Sequence, residues 1–577
     1  MNYNRFLPFV ALLAVYVIGG YAIDIMDIDA AQYANIGREM SDNNNFLEVQ
    51  YRGEDYYLDK PPLLFWLTAL IFKLFGAYNF TYRLVPILST LFGLYAIYRF
   101  CKLYYSEQVA YIAALVMGSC QAFFLMNHDV RCDTLLTNCV TVSVWMLAEY
   151  LKPHLQSRKW KWLIGAFGFM GLGMLAKGPI AVIVVGAAFF VDFALKRDWK
   201  QIFRWEWLVG ILATGVVLIP YCIGVYRQYG DEGLYFFFWK QSFGRITGES
   251  EWSNSPGLLF QTQNFLWSFL PWVLVFALAL FARIREIVKN GFKIASSDEA
   301  ISLGGFVLPF AALSTAQYQL PHYTFVVFPL AAVLTARYLE QCMADYKSAG
   351  SWVGITNPDQ HAKRSIPFAV PRVALVVTSC VMVLVVLILS VWAFPLQSIV
   401  LWMVFGLLTF LIFRLYSKKR PPFSQMVFAP FLTAIAANLM LNAHFYPSLL
   451  PYQTGSQLGQ KIMREQAVPL DRFYKFDVLP AAEYQIFHDA LDFYTRHTTP
   501  VVRRATQIDS LAQNSDVWLF TEKKGLAALQ QQNLQADTLW QHDRFHVTGL
   551  TLPFLNPATR LQETSKQYLV RVKKLSK

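Results

Sequence analysis

Hydrophobic runs of membrane-spanning length recur along the first three quarters of the chain and then stop. They fall at roughly 7–23, 82–100, 109–126, 134–151, 162–176, 178–195, 206–225, 263–282, 299–315, 323–338, 372–394, 396–415 and 426–445. Each approaches the ~20 apolar residues that a helix needs to cross a bilayer. The pattern predicts a mainly α, polytopic membrane protein of about thirteen transmembrane helices. Short basic clusters separate the runs: Arg5, Arg99 with Lys102, Lys152 to Lys161, Lys196 to Arg204, Arg283 to Lys293, Arg337 to Arg364 and Lys418 to Arg420. By the positive-inside rule these are expected in the cytoplasm. With Arg5 inside, residues 24–81 lie outside, and the run at 82–100 brings Arg99 and Lys102 back in. The stretch from Pro61 to Gly76 would break this alternation if it crossed. It is only about sixteen residues long, opens on Pro-Pro and contains Lys73, so it is expected to lie in the outer interface.

After Tyr452 the pattern becomes that of a water-soluble unit. Arg472–Asp477, Val517–Phe520 and Tyr568–Val572 read as strands, and Gly455–Glu465, Tyr484–Arg496 and Leu526–Gln532 as helices. The expected organisation is a transmembrane domain over 1–451, including a first outer loop at 24–81, and a small α/β domain over 452–577. Parity places that second domain outside, where it is expected to act as a lid or docking module, since it carries no recognisable catalytic motif.

Composition agrees with this picture. The 577 residues are 55% hydrophobic and only 15% charged, where soluble proteins average roughly 25% charged. The net charge of +12 resides in loop clusters, which fits membrane orientation and argues against nucleic acid as a partner. Seven cysteines show no metal-binding spacing and no disulfide framework. The segment after Arg5 has the look of a signal peptide, but it runs through Gly19-Gly20-Tyr21-Ala22 straight into an acidic stretch, so an uncleaved anchor is expected.

The polar residues with chemical potential gather on the outer face. Asp24, Asp27 and Asp29 stand within six residues at the exit of the first run. That is more acid than orientation requires, because acidic groups contribute little to it. A carboxylate there can serve as a general base. Asp59-Lys60-Pro61-Pro62 opens the interfacial stretch, and Lys60 can either snorkel or hold a lipid phosphate. Asp133 follows Asn127-His128-Asp129-Val130-Arg131 at the head of a long apolar run, where it can cap the helix, orient a substrate, or do both. Lys177 sits at the break Ala-Lys-Gly-Pro. The loop 226–262 carries Tyr235-Phe-Phe-Phe-Trp239 and Arg245, suited to lipid and its headgroup phosphate. His322 and Tyr323 follow Pro321 at the top of a further run.

In this order the pieces resemble the membrane glycosyltransferases of family 39, which include protein O-mannosyltransferases and the lipid A aminoarabinose transferase. The resemblance rests on Asp29-Ala-Ala-Gln-Tyr33 with Arg38-Glu39-Met40, Lys60-Pro61-Pro62-Leu63 through Trp66, Phe75-Gly76, Arg83-Leu84, Asp133-Thr-Leu-Leu, Lys177-Gly178, Phe238-Trp239 with Arg245, and Gln319-Leu-Pro-His322-Tyr323 before Pro329. It covers roughly residues 1–340. It implies a GT-C fold in a bacterial inner membrane and a polyprenyl-phosphate-linked sugar as donor. It also implies transfer with inversion to a lipid, glycan or protein acceptor on the periplasmic face.

By that resemblance Asp29 and Asp133 are the catalytic carboxylates, with Asp29 favoured because Tyr33 and Arg38-Glu39-Met40 fix its register. Lys60 and Arg245 hold the donor phosphate, and Asp59 matches a position that joins a metal contact in relatives. Tyr33, Lys177, His322 and Tyr323 complete the substrate-binding candidates. The chain departs from the family at Ala30, where a Glu is common. It also has Gln241-Ser242 in place of Glu-His, and Gln319 in place of Lys. No metal ligands are assigned, a divalent metal stays open as a cofactor, and a monomer is expected. The competing expectation is a lipid or polysaccharide transporter. That reading asks for ionisable groups near mid-membrane and repeated halves, neither of which the pattern offers.

Overall fold

The computed structural model describes residues 5–53, 55–152, 159–241, 254, 257–350, 368–466, 468–478, 488–513 and 515–573. Its larger part is a helical bundle. In chain order the helices are α1 (Leu7–Ala22), α2 (Asp29–Asn43), α3 (Leu63–Phe75), α4 (Asn79–Lys102), α5 (Glu107–Ser119), α6 (Gln121–His128), α7 (Cys132–Tyr150), α8 (Lys159–Lys177) and α9 (Ile180–Lys196). They continue with α10 (Glu206–Tyr235), α11 (Phe260–Ser268), α12 (Val273–Lys289), α13 (Ile301–Thr315), α14 (Phe328–Gly350), α15 (Ala369–Leu387), α16 (Ile399–Leu415) and α17 (Ala429–Met440).

Every apolar run predicted from sequence falls on one or more of these helices, but a count of thirteen crossings does not follow. Among the described residues five helical stretches are long and apolar enough to cross a membrane, or seven if two bent pairs each count as one. The run at 263–282 is one of those pairs: α11 and α12 meet at 117° around Pro271, whose ring cannot continue a helix. The run at 109–126 is the other, bent by 53° between α5 and α6. The run at 206–225 is longer than expected, because α10 continues to Tyr235 past a kink at Gly230. The aromatic residues 236–240 extend it as a widened helical turn. What read as an aromatic outer loop therefore begins as helix.

The bundle is organised around α7, which packs against α4 and α8 and is buried along almost its whole length. Thr134, Thr137, Asn138, Thr141, Ser143 and Glu149 lie on it and are all buried. Protein on every side is what permits such a polar helix in a membrane bundle. By contrast, α10, α15 and α16 present many exposed large apolar residues, such as Leu212, Val216, Leu384 and Val400, the surface that lipid requires. The stretch 61–76 forms α3, thirteen residues long, which packs along α2.

The C-terminal part carries a five-stranded sheet. A small hairpin in the first outer loop supplies β1 (Gln50–Tyr51) and β2 (Asp55–Tyr56). The sheet itself is β3 (Phe473–Phe476), β4 (Val501–Val502), β5 (Val517–Glu522), β6 (Ala536–Arg544) and β7 (Ser565–Val572), in the order β4-β3-β5-β7-β6. β3 runs parallel to both β4 and β5, while β7 is antiparallel to β5 and β6. The flanking helices are α18 (Thr454–Glu465), α19 (Asp489–Thr495), α20 (Ala505–Ala512) and α21 (Lys523–Gln531). The helix expected at 484–496 thus begins at Asp489, and residues 484–487 lie outside the described residues.

This unit is fastened to the segment after α1 and to α2 by buried and part-buried polar contacts. Asp24 accepts hydrogen bonds from Gln460 (2.8 Å) and Gln457 (3.2 Å), and Asp27 accepts the backbone N–H of Ala490 (2.9 Å). Asn35 and Arg38 on α2 donate to the carbonyls of Asp489 and Asp492, each at 2.8 Å. Two of the three acids at the exit of α1 are therefore spent on docking.

Burial raises the Asp27 carboxyl to about 6 and the Asp489 carboxyl to about 7. A raised carboxyl binds more protons folded than unfolded, so its contribution to stability is greatest near pH 4 and falls as pH rises through 6 to 7. Burial of His488 lowers its pKa well below the ordinary value and acts oppositely below pH ~6.5. The Asp27 component is isolated by substitution. Asp27→Asn is expected to raise thermal stability at pH 7.5 by on the order of 2 kcal/mol relative to its effect at pH 4.5. Equal shifts at both pH values in thermal unfolding would contradict this.

Candidate functional site

Three helix ends meet at the N-terminal end of α7. Asp29 is the first residue of α2 and Asp133 lies in the first turn of α7, where the positive end of the helix dipole favours a carboxylate. The cap position of α7 is Arg131, not Asp133, so the capping role weighed for Asp133 does not hold. Lys177 closes α8, where the negative dipole end favours a cation. Gly178 then turns the chain at φ +92°, a left-handed conformation that a residue with a Cβ resists. This turn lets α9 start at once and leaves Lys177 at the break, as its sequence context predicted.

Asp133 is 4% exposed. One of its oxygens pairs with the Lys177 ammonium, and the other lies 3.8 Å from Nε2 of His322. Lys177 also sits over the ring of Tyr323, 4.0 Å from its centre. With one oxygen on the Lys177 ammonium and the other near the His322 ring, Asp133 is placed to hold Lys177. Asp29 differs. Oδ2 pairs with Arg131, which also donates to Asp129 at 3.0 Å. Oδ1 has no hydrogen-bond partner among the described residues, and the side chain is 38% exposed. Burial disfavours the charged form of Arg131, but Asp129 and Asp29 outweigh it and raise its pKa further. Arg131 is thus a permanent cation that fixes the orientation of Asp29. Sequence reasoning passed over it, although its place between two acids in Asp129-Val-Arg131-Cys-Asp133 was the available signal.

Beside these groups lies a cavity of about 70 Å³ lined by Lys60, Lys177, Gln241, Tyr318 and Tyr323, and by the apolar Leu136, Ile180, Ile183 and Leu313. Lys60 is half-buried and forms no hydrogen bond or ion pair among the described residues. Its loop is pinned by Gln241, whose side-chain amide donates to the Asp59 carbonyl at 2.7 Å. Gln241 stands where the resemblance expected Glu, and its side-chain amide holds the loop. Lys60, Lys177, Asp133 and Asp29 all lie within electrostatic range of the Cys132 thiol, so the four charged candidates occupy one neighbourhood. The arrangement offers two cations over an apolar channel and one open carboxylate oxygen to the side.

The remaining candidates divide. Tyr33 is buried against Phe65 and supports the floor of the site without lining the cavity. The Asp59 side chain is exposed and makes no contact with Lys60. Gln319, at the position where Lys was expected, folds back to donate to the carbonyls of Ser314 (2.9 Å) and Ala316 (3.0 Å). Arg245 lies outside the described residues. Among the described residues, no group of three or more His, Cys, Asp and Glu side chains is placed to hold a metal ion.

Comparison with known proteins places these features. Residues 59–223 match the family model described as dolichyl-phosphate-mannose-protein mannosyltransferase. The undecaprenyl phosphate-alpha-4-amino-4-deoxy-L-arabinose arabinosyl transferase 1 of Proteus mirabilis is 26% identical over 341 residues, which cover 59% of this chain and 60% of that protein. The corresponding transferase of Erwinia tasmaniensis is 26% identical over 348 residues, again 59% and 60% of the two chains. The chain thus spans about three fifths of the length of the curated relatives it matches. The crystal structure of ArnT from Cupriavidus metallidurans bound to undecaprenyl phosphate superposes with a TM-score of 0.72 at 17% identity, covering 98% of this chain and 97% of that one. The apo structure of the same protein gives 0.70.

Proposed function

We propose that this chain, which has the GT-C fold and groups with the family-39 membrane glycosyltransferases, transfers a sugar from a polyprenyl-phosphate-linked donor to an acceptor at the periplasmic face of the bacterial inner membrane. The observation that carries the proposal is Lys60 and Lys177 at the rim of an apolar-lined cavity, with the Asp29 carboxylate beside it. An isoprenoid phosphate matches both parts: its anion suits the two cations and its chain suits Leu136, Ile180, Ile183 and Leu313. The ArnT structure with undecaprenyl phosphate supports the same reading of the fold.

In the transfer, the acceptor oxygen attacks the anomeric carbon while the bond from that carbon to the phosphate oxygen breaks. The electron pair leaves with the phosphate, and Lys60 and Lys177 stabilise the growing negative charge. The acceptor proton passes to Oδ1 of Asp29, which Arg131 holds ready through Oδ2. Attack from the face opposite the phosphate inverts the sugar carbon. The nature of the sugar, pentose or hexose, and of the acceptor, lipid, glycan or protein, is set by groups above this cavity. The departures at Gln241 and Gln319 favour a donor or acceptor other than the aminoarabinose and lipid A pair.

The test is purified protein in proteoliposomes with a radiolabelled polyprenyl-phosphate sugar and envelope lipid or glycan extract. Label is expected to move covalently to the acceptor. Movement of intact donor between leaflets without covalent transfer would instead establish the transporter.

A further inference from the structure

The C-terminal sheet contains a second cavity, remote in sequence from the first, of about 100 Å³. Its position follows from the topology. β3 comes first in the chain, β4 lies on one side of it and β5 on the other, all three parallel. The strand order therefore reverses between β3 and β5, and in open α/β sheets ligands bind outside the carboxyl ends of the strands at that switch point. The cavity is there: Asp477 just past the end of β3, and Thr521 and Glu522 at the end of β5, line it.

The lining includes hydrogen-bond donors with no partner among the described residues. Gln567 fixes one of them. Its carbonyl oxygen accepts from Thr454 and its amide donates to Glu522 (3.1 Å) and to Nε2 of His488 (3.1 Å). Nε2 of His488 must therefore accept, which places the proton of this neutral ring on Nδ1, and Nδ1 has no partner among the described residues. Burial keeps the ring uncharged. Arg544 is only 18% exposed and donates one N–H to Glu522, with no other acceptor for its guanidinium among the described residues. Lys524 and Gly525 lie in the first turn of α21, whose cap residue Glu522 gives no side-chain cap, so that helix start has no side-chain cap among the described residues. Gly525 abuts β5 so closely that a Cβ would meet Thr521 Oγ1 at 1.9 Å, which brings the helix start against the strand end. Together these form a cradle for an anionic group, while the carboxylates of Asp477 and Glu522 stand at the same rim as hydroxyl acceptors.

From this geometry we infer that the C-terminal domain holds a binding site for a phosphorylated sugar, its phosphate on Arg544, Lys524 and the start of α21, and its hydroxyls on Asp477 and Glu522. The same chemistry occurs in a soluble sugar phosphate and in a glycolipid headgroup. The site stands independently of the transfer reaction. His488 also leads directly into α19, the helix that holds Asp27 through Ala490, so an occupant would sit one helix away from the loop that carries Asp29.

The test uses the full chain in detergent, carrying Lys60→Ala so that the membrane cavity contributes less. It is titrated calorimetrically with glucose 1-phosphate, inorganic phosphate and glucose, and separately with vesicles containing a phosphorylated glycolipid. Saturable binding of glucose 1-phosphate is expected, tighter than phosphate or glucose alone. Lys524→Ala, an exposed position with no fold role, and Arg544→Gln are each expected to weaken it about tenfold or more. Response to the vesicles and not the soluble compound assigns the site to a headgroup and supports the inference equally. Absence of saturation by either probe, affinity for phosphate equal to that for the sugar phosphate, or binding unchanged in both variants would each overturn it.

Discussion

Asp29→Asn is expected to abolish sugar transfer, lowering kcat by about two to four orders of magnitude, while the protein inserts and folds as before. The substitution keeps the size of the side chain and leaves an oxygen for Arg131, so the geometry of the site survives. What disappears is the proton acceptor at Oδ1, a carboxylate oxygen with no hydrogen-bond partner among the described residues. Donor binding should change little, since Lys60 and Lys177 are untouched. The measurement is a single-turnover transfer assay together with donor affinity. A loss of affinity with kcat preserved would move Asp29 from the chemistry to substrate positioning.

The second large effect is expected at Lys177, and it falls on both stability and activity. Lys177 and Asp133 are 12% and 5% exposed at their side chains, so removing Lys177 leaves the buried Asp133 carboxylate without its ion pair. Breaking a buried pair in this way costs on the order of 3 kcal/mol. Lys177→Met should therefore lower the thermal midpoint markedly and lose transfer. The double variant Lys177→Met with Asp133→Asn removes both charges and should recover most of the midpoint while remaining inactive. That split separates the two roles: Asp133 is needed to hold Lys177, and Lys177 is needed to meet the phosphate. Recovered activity in the double variant would show that Lys177 has no contact with the donor.

The fold was legible in sequence where lipid dictates composition. Apolar runs mark most helices of the bundle, though not the polar α2, and the change of pattern after Tyr452 marks the start of the sheet-bearing unit. Bends were not legible, because Pro271 between two apolar helices reads like any proline within a span until packing decides the angle. α7 was legible as an apolar run, but not as the buried centre of the bundle, since its polar residues would suit an exposed helix equally well. The narrow strand β4 and the long β6 escaped the pattern: β4 has two residues, and β6 alternates few apolar residues because it forms the sheet edge.

At the site, residue types with strong local reasons were readable. Asp29 at a membrane exit, Lys60 before two prolines and Lys177 before Gly178 all stand where the chain must turn or start. Partners were not readable. Nothing in sequence links Arg131 to Asp29 across about a hundred positions, or Asp27 to Ala490 across 463. Folding divides the acidic stretch after α1: Asp24 and Asp27 contact the C-terminal unit, and Asp29 pairs with Arg131. Tyr33 illustrates the converse, a residue whose spacing fixed the register of Asp29 but whose side chain is core.

Locating the donor phosphate tests the central claim most directly. A structure of the protein with a polyprenyl phosphate bound, determined by cryo-electron microscopy in a lipid nanodisc, should place the phosphorus within hydrogen-bond reach of both Lys60 and Lys177. The isoprenoid should run past Ile180, Ile183 and Leu313, with Asp29 to the side. Phosphorus elsewhere, or a lipid lodged at mid-membrane between helices with no contact to either lysine, would contradict it.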